Sequence, residues 1–305
     1  MASFLGTLKA ATRNLGARVL LPGARRSYLA LHEQLRAGNT EPTLEHVVSQ
    51  LATQRQIDSD LYRDWVARLK LPAIRHRKYW EFAFIMEALR QAGLLSKGQR
   101  GLGFGVGKEP LAAMMVSLGC RVVASDADPV AAIAAGWGTN DEHASGLASL
   151  NERGICSDEE LRANTEFRVI DMNALPDDAR GFDFCWSSCA FEHLGSIDHG
   201  LRFVEASLDC VKPGGLAVHT TEFNLSSDTE TVMDGATVLY RHSDIERLAK
   251  RLRSAGHQLE LNYHPGQGEL DHYIDLPPYQ LDPHLKLMIG KYVTTSIGLI
   301  VKKAD

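Results

Sequence analysis

The hydrophobic pattern changes character near residue 99. From there on, short runs rich in Val, Ile and Phe alternate with stretches of helical period. The runs predict strands at 99–104, 121–125, 166–170, 183–188, 214–221, near 258–263 and at 292–302. The stretches between them predict helices at 108–118, 128–136, 197–211 and 243–255, the last ended by Gly256 as a C-cap residue. Such alternation is the signature of βαβ units and a doubly wound α/β sheet. Residues 137–164 and 264–291 break the rhythm and read as insertions, the second rich in Pro, Gly, His and Tyr. Upstream, 43–93 reads as mostly helical from Thr43 on, with an apolar aromatic stretch from Tyr79 that stops at Gly93 and leads into the first strand. The first residues form an amphipathic pattern. Phe4, Leu5, Leu8, Ala11, Leu15 and Val19 share one helical face, Lys9 and Arg13 lie off it, and Pro22-Gly23 ends it. The organisation expected is a helical extension over 1–78 and an α/β domain over 79–305.

The most informative stretch is Arg100-Gly101-Leu102-Gly103-Phe104-Gly105-Val106-Gly107, between a predicted strand and a predicted helix. Glycines there let the chain turn tightly and let a ligand approach without Cβ interference. A dinucleotide fingerprint needs a glycine at the sixth position. Counting from Gly103 that position is Lys108, and from Gly101 it is Val106, so both registers fail. A phosphate-binding Walker loop fails too, because Lys108 is followed by Glu109. What remains is G-x-G-x-G at Gly103, Gly105 and Gly107. Next, Val122-Val123-Ala124-Ser125-Asp126 places an acid at a strand end, suited to accept both hydroxyls of a ribose.

These residues resemble motif I and the following acid of class I S-adenosylmethionine-dependent methyltransferases. Three later stretches strengthen the resemblance: Ile170-Asp171-Met172 after the third strand, Ser187-Ser188-Cys189-Ala190-Phe191-Glu192-His193-Leu194 after the fourth, and Val211-Lys212-Pro213-Gly214-Gly215 before the fifth. The second of these is similar to the branch whose members often read Glu-His-Leu there. The resemblance implies a mostly parallel seven-stranded sheet in the order 3-2-1-4-5-7-6 and S-adenosyl-L-methionine as cofactor. It implies that Gly103, Gly105, Gly107, Asp126, Asp171, Met172 and Ser188 line the cofactor, Asp171 towards the adenine amino group and Met172 against the ring. Where the family usually carries an acid, two positions before the first glycine, this chain has Gly101, and Glu109 is the residue expected to meet the cofactor's amino group instead. Trp80 is expected to cover the methionine end.

Composition narrows the function further. A net charge of -5 on 305 residues gives no expectation of nucleic-acid binding. Five irregularly spaced cysteines form neither a disulfide framework nor a zinc motif, and no metal site is expected. No apolar run has transmembrane length, and the cytoplasm is the expected location. The basic stretch over 1–21 has three readings: a helix on an anionic membrane surface, an organellar targeting segment, or a helix packed on the domain.

Methyl transfer is an in-line displacement in which the protein aligns the groups and removes a proton when the nucleophile is a hydroxyl. His193 is the expected base, with Glu192 orienting it or contacting the cofactor and Glu222 contacting the acceptor. Asn224, Tyr240 and Arg241 follow at the same edge. Arg241 suits either an anionic substrate group or a surface pair with Asp244. The segment 264–291, with His264, Asp271, His272, Tyr273, Asp275, Tyr279 and His284, is expected to shape the acceptor pocket. The acceptor expected is a glycan, glycolipid or small molecule, with O-methylation by direct in-line transfer as the reaction. The alternative is a non-catalytic cofactor-binding or scaffolding protein that keeps the fold.

Overall fold

A computed structural model describes residues 2–128 and 146–305, with side chains from Val19 onward. The helices are α1 (Ala2–Arg36), α2 (Gln54–Ile57), α3 (Asp60–Arg68), α4 (Arg77–Gln91), α5 (Leu111–Ser117), α6 (Asp158–Asn164), α7 (Ile197–Cys210), α8 (His242–Ser254) and α9 (Glu269–His272). The strands are β1 (Ser49–Leu51), β2 (Arg100–Phe104), β3 (Arg121–Asp126), β4 (Thr165–Val169), β5 (Phe182–Ser188), β6 (Gly195–Ser196), β7 (Val211–Asn224), β8 (Asp234–Gly235), β9 (Leu261–Asn262), β10 (Ile274–Asp275), β11 (Lys286–Ile289) and β12 (Tyr292–Lys302). The expected helix at 128–136 and the first part of the 137–164 insertion fall almost wholly outside the described residues.

The sheet is doubly wound and mostly parallel. Its core runs β4-β3-β2-β5-β7 with all neighbours parallel, and β12 closes it antiparallel against β7. Strands buried on both faces read as continuous apolar runs. One face is covered by α1, α7 and α8, and the other by α3, α4 and α5. The strand register brings the ends of β2, β3, β5 and β7 to one edge, which is where the sequence places its motifs.

The outer edge of β12 departs from the seven-stranded expectation. Among the described residues the main sheet has ten strands. β11 pairs with the start of β12, β1 with its middle through Gln50 and Leu51, and Gln258 bridges its end at Lys302. β9, the expected sixth strand, lies outside β1 rather than on β12. The N-terminal region is therefore not helical throughout. Its β1 is inserted into the domain's sheet, and three residues are too few to show a period of two in the sequence. The helices of this region begin at Gln54, Asp60 and Arg77, not at Thr43.

Helix α1 also differs from expectation by running through Pro22 to Arg36. An interior proline removes one backbone donor and crowds the preceding turn. Packing offsets this cost, because Ala24, Tyr28, Leu31 and Leu35 recur on one face and are buried against the domain. The Tyr28 hydroxyl donates to the Asp271 carbonyl, and His32 Nε2 lies 2.9 Å from the Gly266 carbonyl. Among the described residues, no helix is long and apolar enough to cross a membrane.

Gly298 on β12 faces α4 so closely that a Cβ there would overlap the fully buried Phe84 ring. Gly298→Ala is expected to lower stability by about 1–3 kcal/mol, the usual cost of overpacking. Denaturant unfolding checks this, and a change within error would mean that α4 is not seated on β12 in this way.

Candidate functional site

The glycine loop begins where β2 ends. Gly105 and Gly107 have φ of 57° and 49°, the left-handed region that side chains disfavour. A Cβ on Gly105 would lie 2.9 Å from Ala190 Cβ and 3.5 Å from Met172 Sδ. The loop, the segment after β5 and Met172 thus converge on a cradle that only glycine leaves open. Gly103 serves packing, since its Cβ would overlap the Trp186 indole and come 2.5 Å from Val106 Cγ1. Asp126, at the end of β3, accepts from the Gly107 amide at 3.1 Å and the Ala127 amide at 2.8 Å, fixing the loop to the neighbouring strand. Asp171 is exposed and accepts from the Asn173 amide at 2.8 Å. Met172 borders both the cradle and a cleft of about 650 Å³ shared with α7.

Beneath the loop lies a buried charge network that begins on α4. His76 caps α4 by accepting the Lys78 amide. The first turn then presents Arg77 and Lys78, with Glu81 one turn later on the same face. Glu81 is fully buried. Its Oε1 accepts from Ser296 Oγ at 2.5 Å and Cys189 Sγ at 3.0 Å, and its Oε2 from Ser188 Oγ at 3.1 Å and Thr220 Oγ1 at 3.2 Å. Arg77 and Lys78 lie 3.5 and 3.4 Å from it. Burial alone would raise this carboxyl, but Lys78, Arg77 and the donors Ser296 and Cys189 hold it below the usual range.

Three further acids share the site. Glu222, at the end of β7, pairs with Arg77. Glu192 accepts from Thr221 Oγ1 at 3.0 Å. Glu109 lies 3.6 Å from Lys78 Nζ. Burial pushes Glu109 up to about 8 and Glu192 up to about 7, and it raises Glu222 despite Arg77. Glu109 Oε2 and Glu222 Oε2 are buried without a hydrogen-bond partner. Four buried carboxylates thus face two cations. Cys189, Glu192 and Glu222 bring one ligand atom each within 4.8 Å of one another, although no metal spacing is visible in the sequence. The Arg77 guanidinium lies against this group, 3.9 Å from Cys189 Sγ. Cys189 itself holds φ of 47°, a strained conformation for a non-glycine residue.

Several expected residues therefore meet here: Gly105, Gly107, Glu109, Asp126, Met172, Ser188, Glu192 and Glu222. His193 stands at the margin, with Nδ1 2.8 Å from the Ala236 carbonyl and Nε2 4.0 Å from Glu192 Oε1. Trp80 does not join the site. Its indole is fully buried, donates to Gln56 Oε1 at 2.8 Å and stacks on Phe84, because the helical turn aims residue 80 away from residues 77, 78 and 81. Arg241 is committed to Asp244 through Nε at 2.8 Å, and Asn224 holds the turn at Ser226 and Ser227. Arg77, Lys78 and Glu81, from the same segment as Trp80, meet at the site in its place, although no role was expected of them individually. Their only signal was a cluster of charges at the head of an otherwise apolar aromatic helix.

No protein-family model and no curated protein matches the chain. Among solved structures it is similar to a candidate sarcosine dimethylglycine methyltransferase from Galdieria sulphuraria, at 13% identity over 81% of this chain and 99% of that one, with a TM-score of 0.46. It is similar to an S-adenosylmethionine-dependent methyltransferase from Clostridium acetobutylicum, at 13% identity over 81% and 94% and a TM-score of 0.42. A third, from Mesorhizobium loti, is 15% identical over 73% and 98%, with a TM-score of 0.44.

Gly101, where an acid is usual in the motif, packs so tightly that a Cβ would overlap the Phe184 ring. Gly101→Asp is therefore expected to destabilise the fold by about 1–3 kcal/mol or more rather than add a ligand contact. Denaturant unfolding of the variant reads this, and unchanged stability would contradict the packing at β2 and β5.

Proposed function

We propose that this chain is an S-adenosylmethionine-dependent methyltransferase that acts on a hydroxyl of a small-molecule or glycan acceptor. The observation that carries this reading is the buried excess of carboxylate over cation beside a glycine cradle. Such a pocket favours a cation with an apolar body over a phosphate-bearing cofactor: burial keeps Glu109 and Glu192 largely protonated near neutral pH, and they gain charge as a cation enters, whereas an anion draws nothing from them. The residues fit this cofactor. The orphaned Oε2 of Glu109 suits an ammonium group, Asp126 a pair of ribose hydroxyls, and Asp171 with Met172 an adenine. Bound there, the cofactor supplies a methyl group activated by a positively charged sulfur.

The chain's own residues do the rest. Glu81 and its donors hold the strand ends in one arrangement, so the groups around the methyl position need not reorganise during reaction. Glu192 and Glu222 form the acidic wall next to it. Lys78 and Arg77 keep that wall from repelling itself.

Calorimetry with S-adenosylhomocysteine is the primary test. Binding is expected for the wild type and is expected to be lost or weakened by about tenfold or more in Asp126→Ala, with no binding of NAD. A folded protein that binds no S-adenosylhomocysteine would sink the reading. A second outcome follows from Glu109. Its carboxyl sits near 8 in the free protein because it is buried. A bound ammonium lowers it, so binding near pH 7 is expected to release protons, and the release should fade as pH rises past that value. Titrations in buffers of different ionisation enthalpy measure the release, which Glu109→Gln should abolish.

A further inference from the structure

A second cluster of titratable side chains lies beside the head of α4, built from β10 and the segment between it and β11. His284 Nδ1 is 2.6 Å from Asp275 Oδ2. Asp275 is 1% exposed and also accepts from the Gln280 amide at 3.1 Å, so its carboxylate is fixed. A carboxylate can only accept, which places the proton on Nδ1 and the lone pair on Nε2. Nε2 has no hydrogen-bond partner among the described residues, and His284 as a whole is 7% exposed. The ring is fixed on its other faces. It stacks on His76 at 4.5 Å between centroids, and Tyr279 meets it edge-on at 5.3 Å.

The backbone ties this dyad to the proposed active site. The Arg77 amide donates to the His284 carbonyl at 2.8 Å, and the His284 amide donates to the Arg75 carbonyl at 2.9 Å. Thr295 Oγ1 holds the Leu285 carbonyl at 2.9 Å. The next residue, Ser296, lies opposite Glu222 in the sheet and contacts Arg77 Nη1 at 3.0 Å. His284 is thus anchored to the same residues that hold Glu222 and Glu81. Burial and Arg77 keep the ring neutral against the pull of Asp275, the state a proton acceptor needs.

We propose that His284, oriented by Asp275, takes the proton of the methyl acceptor, in place of the His193 expected from the sequence. The inference rests on the methyltransferase reading. The acceptor O–H bond breaks as its oxygen bonds the methyl carbon. The proton passes to His284 Nε2, and the electron pair of the methyl–sulfur bond stays on sulfur. Asp275 is a positioning residue that stabilises the imidazolium so formed.

The test uses the full-length protein with bound S-adenosylhomocysteine, treated with diethyl pyrocarbonate, a probe of bare imidazole nitrogen. Peptide mass spectrometry follows each histidine. His284 is expected to react despite its burial, and about tenfold more slowly in Asp275→Asn, where the charge-assisted bond is lost. Nitrogen-15 histidine spectra of the wild type, expected to show Nδ1 protonated and Nε2 bare, keep the test open should that variant fail to fold. An unreactive His284, an unchanged rate in Asp275→Asn, or the opposite tautomer would overturn the proposal. Calorimetry on the same sample separates the two readings. Bound S-adenosylhomocysteine with an unreactive His284 removes only this inference, whereas no binding removes both.

Discussion

The carboxylate of Glu81 is the interaction on which the carboxyl edge of the sheet depends. Its two oxygens collect Ser188 and Cys189 at the end of β5, Thr220 on β7 and Ser296 on β12, while Arg77 and Lys78 of its own helix supply the charge. A buried ionised carboxylate is costly unless paired and hydrogen-bonded, and breaking such an arrangement costs about 3–5 kcal/mol. Satisfying this one group therefore fixes helix α4 against three strands at once.

Two constraints then act together on the same edge. Close approach of side chains to the backbone demands glycine at 101, 103, 105 and 298, each for a named neighbour: Phe184, Trp186, Ala190 and Phe84. Charge acts in the opposite sense, because Glu109, Glu192 and Glu222 are gathered where burial raises all three. A tightly packed frame thus holds an electrostatically unsatisfied centre. Such local conflict in an otherwise consistent fold is the usual mark of a functional site.

The N-terminal region and the 264–291 insertion support one another at the far side of this centre. Lys286 is fully buried, pairs with Asp271 at 3.4 Å and donates to the Ala52 carbonyl at 2.5 Å. Tyr28 and His32 of α1 close over Gly266 and Asp271. With β1 placed between β12 and β9, these contacts set the insertion against α4, and so set His284 beside His76 and Arg77. The 264–291 segment is thereby split. His264 and Asp271 lie on the docking side, while Asp275 and His284 pack against the head of α4.

Much of this was legible along the chain because it is local. The parallel core strands announce themselves as apolar runs, G-x-G-x-G requires its own left-handed turns, and Asp126 follows at a strand end, all within a few residues of one another. The sequence also brought Glu109, Glu192 and Glu222 to one edge of the sheet, since each lies at or shortly after a predicted strand end. It did not determine which way α4 faces. Trp80 is the contact expected from the sequence, yet a helical turn and the packing of Phe84 on Gly298 turn it into the core and turn Arg77, Lys78 and Glu81 towards the strands. Nor did it show that α1 passes through Pro22, that β1 enters the sheet, or that His284 meets Asp275 and His76, because those pairings join residues far apart in the chain. Period and motif report neighbours along the backbone. Only the tertiary structure decides which distant side chains share a low-dielectric space, and there the charges of this site acquire their chemistry.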